Sequence, residues 1–296
     1  MKKGKSGFVG IIGRPNVGKS TFLNRVLGIK VSIVTEKPQT TRDRISGIYT
    51  GGQGQIIFID SPGIHDPKTA LNRYMVKEAM AIMEDCDLVL HMTDNNLFRF
   101  SSEEVLVTAA LEKSGYRKIL AINKIDLMTL KDREKILAWM TNHCDYDRIF
   151  DTNAEAGFGI DGVLEYIFSQ LPEGPFYYPE DHVTDRSERF LCKEIVREKL
   201  FLNLKEEVPY STAVMVDEIK LNPVKDIVSI SAYIYVERDS QKGIIIGKGG
   251  ALLKKVGTAA RLDMEELFGK KVFLQLQVKV EKGWSRKEWI LRRLGY

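Results

Sequence analysis

The stretch GRPNVGKST at residues 13–21 decides how this chain is read. It follows the short apolar run FVGII and precedes FLNRVLG, whose spacing is helical. Two glycines bracket four residues, and Lys19 and Ser20 come next. Between a strand and a helix, G-x-x-x-x-G-K-[ST] is a phosphate cradle with a physical rationale. Phosphate oxygens need several amide N–H groups converging on them, and glycine lets the backbone come that close. Gly13 and Gly18 supply the freedom. The helix opening at Lys19 adds unpaired N–H groups and the positive end of its dipole. The expected phosphate shell is Gly13, Arg14, Pro15, Asn16, Val17, Gly18, Lys19, Ser20 and Thr21. In it Lys19 reaches the β- and γ-phosphates and the Ser20 hydroxyl ligates Mg2+.

A Mg2+-triphosphate requires an acidic residue at the end of a neighbouring strand. IIFIDSPG provides it: Asp60 closes an apolar run, with Ser61, Pro62, Gly63 and Ile64 after it. Asp60 is expected to hold the metal through water, and Gly63 to offer its N–H to the γ-phosphate. The base is read from AINKID, which ends another buried strand. Asp126 can accept from both the ring N–H and the exocyclic amine of guanine, whereas adenine would leave that carboxylate unpaired. Asn123, Lys124 and Ile125 form the rest of that loop, with Asn123 and Lys124 bracing it. Thr152, Asn153 and Ala154, in DTNAEAG, stand where a final base loop belongs, and Ala154 is expected to present its N–H to the guanine oxygen.

Around these motifs the pattern is α/β. The strand-length runs FVGII, IIFID, DLVLHM, KILAIN and RIFDTN alternate with helical patterns near 19–28, 69–84, 102–114, 131–141 and 160–170. This predicts a mostly parallel sheet covered on both faces, with RISGIYT as a further edge strand. LPEGPFYYPEDHVTD, with three prolines, reads as a linker. The expected division is 1–172 for the nucleotide domain, 173–186 for the linker and 187–296 for a smaller α+β domain.

At 296 residues, 44% apolar and 28% charged, the chain suits two globular domains. No run approaches the ~18 apolar residues that span a bilayer. The basic-then-apolar start leads into the phosphate loop, not a cleavage site, so no signal peptide is expected and a cytoplasmic location is. Three scattered cysteines suggest buried reduced thiols. Net charge is only +4, yet residues 242–296 carry 13 Lys/Arg against 5 Asp/Glu, a local excess of +8. Such an end suits a polyanion, or is simply a solvated face with a basic tail.

That end holds a second glycine stretch, GIIIGKGG, at residues 243–250. It is one residue short of a triphosphate loop, and Gly249 stands where a metal-binding hydroxyl belongs. It contains G-x-x-G instead: Gly247, Lys248, Gly249, Gly250. The surrounding order is α-β-β-α-α-β. This resembles a type II KH domain, whose G-x-x-G loop presses on the backbone of about four single-stranded nucleotides. The resemblance implies RNA contacts from Ile246, Gly247, Lys248, Gly249, Gly250, Lys254, Lys255 and Arg261. Lys282 and Arg286 belong to the basic end, which also holds Lys287, Arg292 and Arg293. Trp284 either stacks on a base or packs the last segment onto the domain.

GRPNVGKS, DSPG and NKID, in this order and spacing, resemble the translation-factor-related P-loop GTPases. KPQTTRDRI at 37–45 resembles the first switch of the TrmE-Era-EngA-type subgroup. With EVPYS at 207–211 and EKGWSR at 281–286, nearly the whole chain is similar to the Era family. The resemblance implies GTP and GDP as ligands, with Lys19, Thr41, Asp60 and Gly63 serving hydrolysis. Thr41, with Thr40 second, would join Ser20 and Asp60 around Mg2+. It implies the 3′ end of small-subunit ribosomal RNA and the assembling small subunit as partners, and occasional peripheral membrane association. No DNA is expected, and the protein is expected to be a monomer. Asn153 departs from the usual Ser, and Ile64 stands where Ras-like enzymes place a water-orienting Gln, so slow intrinsic hydrolysis is expected. Asn16 matches a residue that ligates potassium in some such GTPases, the alternative being an Asn that only stabilises the loop.

Overall fold

The computed structural model describes residues 3–35, 37, 40–67 and 69–296. Pro38 and Gln39 of the expected first switch, and Glu36 just before it, lie outside them. The chain divides into two compact units between Asp185 and Arg186, with Thr69–Leu71 grouping with the second.

The first unit runs β1 (Lys3–Ile12), α1 (Lys19–Leu27), β2 (Ile45–Gly51), β3 (Gly54–Asp60), α2 (Ala70–Glu84), β4 (Leu88–Thr93), α3 (Ser101–Ser114), β5 (Lys118–Ile122), α4 (Leu130–His143), β6 (Arg148–Asp151), α5 (Ile160–Gln170) and β7 (Glu173–Pro175). The sheet order is β2-β3-β1-β4-β5-β6. The pairs β3-β1, β1-β4, β4-β5 and β5-β6 are parallel, and β2 lies antiparallel on the β3 edge. Every residue of β3, β4 and β5 is buried, which is why these strands read as unbroken apolar runs. Alternation within β3 shows the two covered faces. Phe58 meets Phe22 of α1 with ring centroids 5.9 Å apart, whereas Ile59 joins the cluster holding Ile82 of α2 and Val107 and Leu111 of α3. Strand β1 has β3 on one side and β4 on the other, so the chain changes direction there. A crevice therefore opens beyond the carboxyl ends of the strands, where ligands bind in such sheets. Asp60 ends β3, and the phosphate loop, Asp94, Asn123 and Thr152 follow strand ends on that edge.

Of residues 173–186, expected to be a linker, 173–185 belong to the first unit and are tied to it. Strand β7 pairs antiparallel with Lys3–Lys5 of β1. The buried Gln55 side chain accepts from the Tyr177 and Tyr178 amides at 2.9 and 3.0 Å and donates to the Tyr178 carbonyl at 3.0 Å. Val183 accepts from the Ile48 amide, and the Thr184 hydroxyl donates to the Ser46 carbonyl. One buried carboxamide makes the segment a strap.

The second unit runs α6 (Glu188–Asn203), β8 (Thr212–Asn222), β9 (Ile227–Val236), α7 (Asp239–Ile246), α8 (Ala251–Phe268), β10 (Lys271–Val280) and α9 (Glu288–Arg293). Its sheet order is β10-β9-β8, with β10 parallel and β8 antiparallel to β9. The core gathers Val196 and Leu200 of α6, Ile230 and Ile234 of β9, Val256 and Ala260 of α8, and Val272 and Val278 of β10. Cys86, Cys144 and Cys192 are free and buried. Burial pushes their thiols up, to about 12, 11 and 12 respectively, away from nucleophilic reactivity. Among the described residues, no helix is long and apolar enough to cross a membrane.

Gln55→Leu removes the acceptor of two strap amides. The expected result is a loss of about 2–3 kcal/mol in denaturant unfolding of the first unit, together with faster limited proteolysis between residues 176 and 186; unchanged cleavage would mean the strap is held by other contacts.

Candidate functional site

The phosphate loop is shaped by backbone torsion before any side chain acts. Gly13, Asn16 and Gly18 have φ of 154°, 64° and 107°. At Gly18 an added Cβ would fall 2.2 Å from Asn123 Nδ2, so glycine is required by both torsion and contact. Helix α1 opens at Gly18 with no side-chain cap and no acidic residue in its first turn. Its first amides and the positive end of its dipole are thus left for an anion.

Three oxygen-bearing side chains meet beside this helix start. The Ser20 hydroxyl donates to Asp60 Oδ2 at 2.6 Å and lies 3.0 Å from the Thr41 hydroxyl. Ser32 also donates to Asp60 Oδ2, at 2.9 Å. The other oxygen of this fully buried carboxylate, Oδ1, has no hydrogen-bond partner among the described residues. Burial raises the Asp60 pKa, with Lys19, Ser20 and Ser32 opposing that shift. A compact group of hydroxyl and carboxylate oxygens with one buried lone-pair face bare is a donor set that fits Mg2+. Thr40, the second choice, instead bonds Thr35 and the Lys37 carbonyl. Lys19 is buried with its ammonium on the Gly13 and Arg14 carbonyls at 3.0 and 2.7 Å. Desolvation lowers its pKa from 10.5 to about 8, against the pull of Asp60.

The turn after β3 lies on the same loop. Ser61 donates to the Ile11 carbonyl, and the Ile64 amide to the Gly13 carbonyl. A Cβ on Gly63 would fall 2.5 Å from the Pro15 nitrogen, so the two loops touch backbone to backbone. Ile64 is buried in the apolar cluster with α2 and α3, and His65 is buried with Nδ1 2.7 Å from the Gly63 carbonyl.

At the base end, the buried Asn123 side chain donates to the Val17 carbonyl at 2.8 Å and accepts from the Ala154 amide at 2.9 Å and the Thr152 hydroxyl at 3.2 Å. This corrects one expectation: the Ala154 N–H is engaged by Asn123 and is not left for a guanine oxygen. Asn153 accepts from the Ala156 amide with its side chain, so the departure from Ser serves the turn itself. Lys124, at φ 59°, reaches the Asn16 carbonyl at 2.7 Å. Asp126 is exposed, and no described residue pairs with its carboxylate. Arg25, missed in the sequence, donates to the Ala156 carbonyl from the last turn of α1. Asp94 and Ser32 were missed as well. The apolar-run-then-Asp pattern of LVLHMTD matches that of IIFID and could have flagged Asp94.

The second glycine loop follows the same physical logic. Gly247, Gly249 and Gly250 all have positive φ, and a Cβ at Gly249 or Gly250 would meet nothing within 4 Å. The backbone is bare and open on that side, with the exposed Lys248 between. Helix α8 also starts at an uncapped glycine, Gly250, with no acidic first turn. Beside it a groove of about 490 Å3 runs between α8 and β10, lined by Leu253, Lys254, Gly257, Arg261, Phe273 and Leu276 among others. Lys255 does not line it, and Arg261 is paired with Glu265 at 2.8 Å. Lys282 and Arg286 are exposed. Trp284 corrects the stacking expectation. It is fully buried, its Nε1 donates to the Ser211 carbonyl at 3.0 Å, and its ring stacks on Tyr296. It packs the C-terminal segment and offers no face to a base.

A phosphate loop, a buried metal-type oxygen cluster and an N-K-x-D loop on one sheet edge, followed by a G-x-x-G groove, define a P-loop GTPase joined to a KH domain. Comparison with known proteins agrees. The 50S ribosome-binding GTPase family matches residues 8–124, and the KH domain family matches residues 207–285. The chain is 49% identical over 294 residues to GTPase Era of Geobacter metallireducens, covering 99% of this chain and 98% of that one. It is 48% identical over 289 residues to GTPase Era of Thermotoga maritima, covering 97% and 95%. Among solved structures, Era in complex with MgGDPNP and nucleotides 1506–1542 of 16S ribosomal RNA matches at 39% identity and TM-score 0.94, covering 99% of each chain. An Aquifex aeolicus Era variant bound to GDP and AlF4− matches at 38% identity and TM-score 0.93, again over 99% of each. The chain belongs to the Era family of GTPases.

Because Lys19 titrates near 8 and phosphate favours its ammonium form, GDP affinity should be set by the fraction protonated. The sign is a loss on the alkaline side: affinity stays level from pH 7 to 7.5 and falls about tenfold by pH 9. Calorimetric titration across that range checks it, and a flat profile would place the Lys19 pKa well above 9.

Proposed function

We propose that this chain hydrolyses GTP at the crevice beyond β1 and uses the nucleotide state to set the grip of its KH unit on the 3′ end of small-subunit ribosomal RNA, assisting assembly of that subunit. The observation that carries the reading is the meeting of Ser20, Thr41 and Asp60 beside the uncapped start of α1. Thr41 belongs to a switch and Ser20 to the phosphate loop, so whatever ligand joins their hydroxyls also orders the switch.

In this reading Gly13–Gly18 amides and Lys19 bind the β- and γ-phosphates, and Gly63 donates its amide to the γ-phosphate. Ser20, Thr41 and Asp60 hold Mg2+, which neutralises charge developing on the phosphate oxygens. Asp126 pairs with guanine while Asn123 and Lys124 hold its loop in place. Ile64 has no hydrogen-bonding group with which to orient water, so hydrolysis is slow without help. On the family resemblance, Asn16 helps hold a potassium ion that would add positive charge near the phosphates. In the KH unit the bare backbone of residues 247–250 takes the RNA phosphates, Lys248 and Lys254 add charge, and the apolar groove beside α8 takes bases. On the family resemblance the protein is a cytoplasmic monomer with peripheral contact to the inner face of the membrane. Sedimentation at micromolar concentration and flotation with anionic vesicles test those two points.

The main test is RNA affinity with a non-hydrolysable GTP analogue, with GDP and without nucleotide. The expected outcome is at least a tenfold difference between the GTP-analogue and GDP forms, about 1.4 kcal/mol of coupling. Equal affinities would remove the switch while leaving both binding sites intact.

Single-turnover GTP hydrolysis in potassium against sodium tests the cation. Faster turnover in potassium that is lost in Asn16→Ala supports it; equal rates leave Asn16 as a loop residue only.

A further inference from the structure

Behind the nucleotide loops lies a cluster of charges whose carboxylates, Asp94 and Glu104, are used by none of the steps above. Asp94, 2% exposed, follows the last residue of β4. Its Oδ1 accepts from Arg14 Nη2 at 2.8 Å, and its Oδ2 accepts from Lys124 Nζ at 2.8 Å. Arg14 belongs to the phosphate loop and Lys124 to the base loop. Its own backbone places it: the Leu97 amide donates to the Asp94 carbonyl, and the Asn96 amide donates to Oδ1 at 3.1 Å. On the far side Arg14 Nε is paired with the buried Glu104 of α3, which lies 2.8 Å from His91 Nε2. His91 Nδ1 in turn lies 2.7 Å from the Tyr146 hydroxyl.

We propose that Asp94 is a positioning residue that clips the phosphate loop to the base loop through Arg14 and Lys124, and so sets how long the nucleotide stays bound. The inference rests on the guanine-nucleotide reading of this site. Two loops hold opposite ends of one ligand, and neither is regular structure. Each carries a long cationic side chain whose conformational freedom would be lost afresh on every binding event. One carboxylate with two oxygens, each given to a different loop, removes that freedom beforehand. The ties on either side follow the same path. Lys124 also donates to the Asn16 carbonyl at 2.7 Å, and the Arg14 carbonyl accepts from Lys19 at 2.7 Å. Moving Asp94 therefore displaces residues that touch the base side and the phosphate side together. Glu104 differs in kind, since it holds Arg14 alone of the two cations.

The two roles a buried carboxylate can play make opposite forecasts. A carboxylate that only balances the buried Arg14 and the half-buried Lys124 weakens the fold when removed and leaves the release of bound nucleotide unchanged. A clip acts through Lys124, so removing either residue speeds release and the two effects overlap. The experiment is a double-mutant cycle of Asp94→Asn and Lys124→Met, read as the release rate of a fluorescent GDP from the full chain with Mg2+. Asp94→Asn is expected to speed release about tenfold or more. The double variant should lie within about threefold of Lys124→Met alone. Unchanged release in Asp94→Asn, or multiplying effects, would overturn the clip. Absence of GDP binding by the unaltered protein would instead overturn the reading of the site, so the two failures are separable. Should Asp94→Asn not fold, hydrogen exchange of the unaltered protein decides. Amides of residues 14–18 and 123–126 must then open together with one dependence on denaturant, and independent opening overturns the proposal.

Discussion

The nucleotide site depends on one buried carboxamide. Asn123 directly follows β5 and spends its donor on the phosphate loop and its acceptor on the base loop. A carboxylate there would lack the N–H that Val17 accepts, and an amine would lack the acceptor that Ala154 and Thr152 need. Because Asn123 is buried, each unmade bond would carry the full cost of a desolvated polar group. Gly18 leaves the room in which that carboxamide sits, so the glycine that frees the loop for phosphate also admits the side chain that holds it.

Both units solve the problem of gripping an anionic backbone in one way. A helix begins at a glycine of positive φ, carries no capping side chain, and keeps acidic residues out of its first turn. A capped start such as that of α4, where Thr129 and Asp132 satisfy one another's amides, has those N–H groups already occupied. The difference between the two loops lies in what stands beside the helix start. Around α1 it is a fully buried carboxylate and two hydroxyls, suited to a hard cation. Beside α8 it is an open groove with apolar walls and lysines, suited to stacked bases and phosphates.

Charge is arranged differently in the two units as well. In the first, Glu104, Arg14 and Asp94 are buried in alternation of charge, the half-buried Lys124 ends the row, and its ammonium is shared with the Asn16 carbonyl. Such clusters add little net stability over an apolar packing, and they specify geometry because each member is satisfied in few arrangements. In the second unit much of the excess positive charge is solvated at the surface, where it steers a polyanion without dictating local geometry.

The chemistry-bearing motifs and the order of elements were legible in the sequence because both are local. Apolar runs of strand length, glycine spacing and the Asp or Asn ending a buried strand report on neighbours a few residues away. Folding decided what depends on contacts between distant segments. Trp284 is surrounded by basic residues in sequence, yet Ser211 and Tyr296 bury it. Pro-rich residues 173–186 read as a loose connection until Gln55, more than a hundred residues earlier, is seen to take their amides. Ala154 carries the expected backbone N–H, and only the approach of Asn123 shows that it is already used. The physical reason is common to all three: a hydrogen-bonding group is defined by its partner, and a sequence states the group without stating who will stand opposite it.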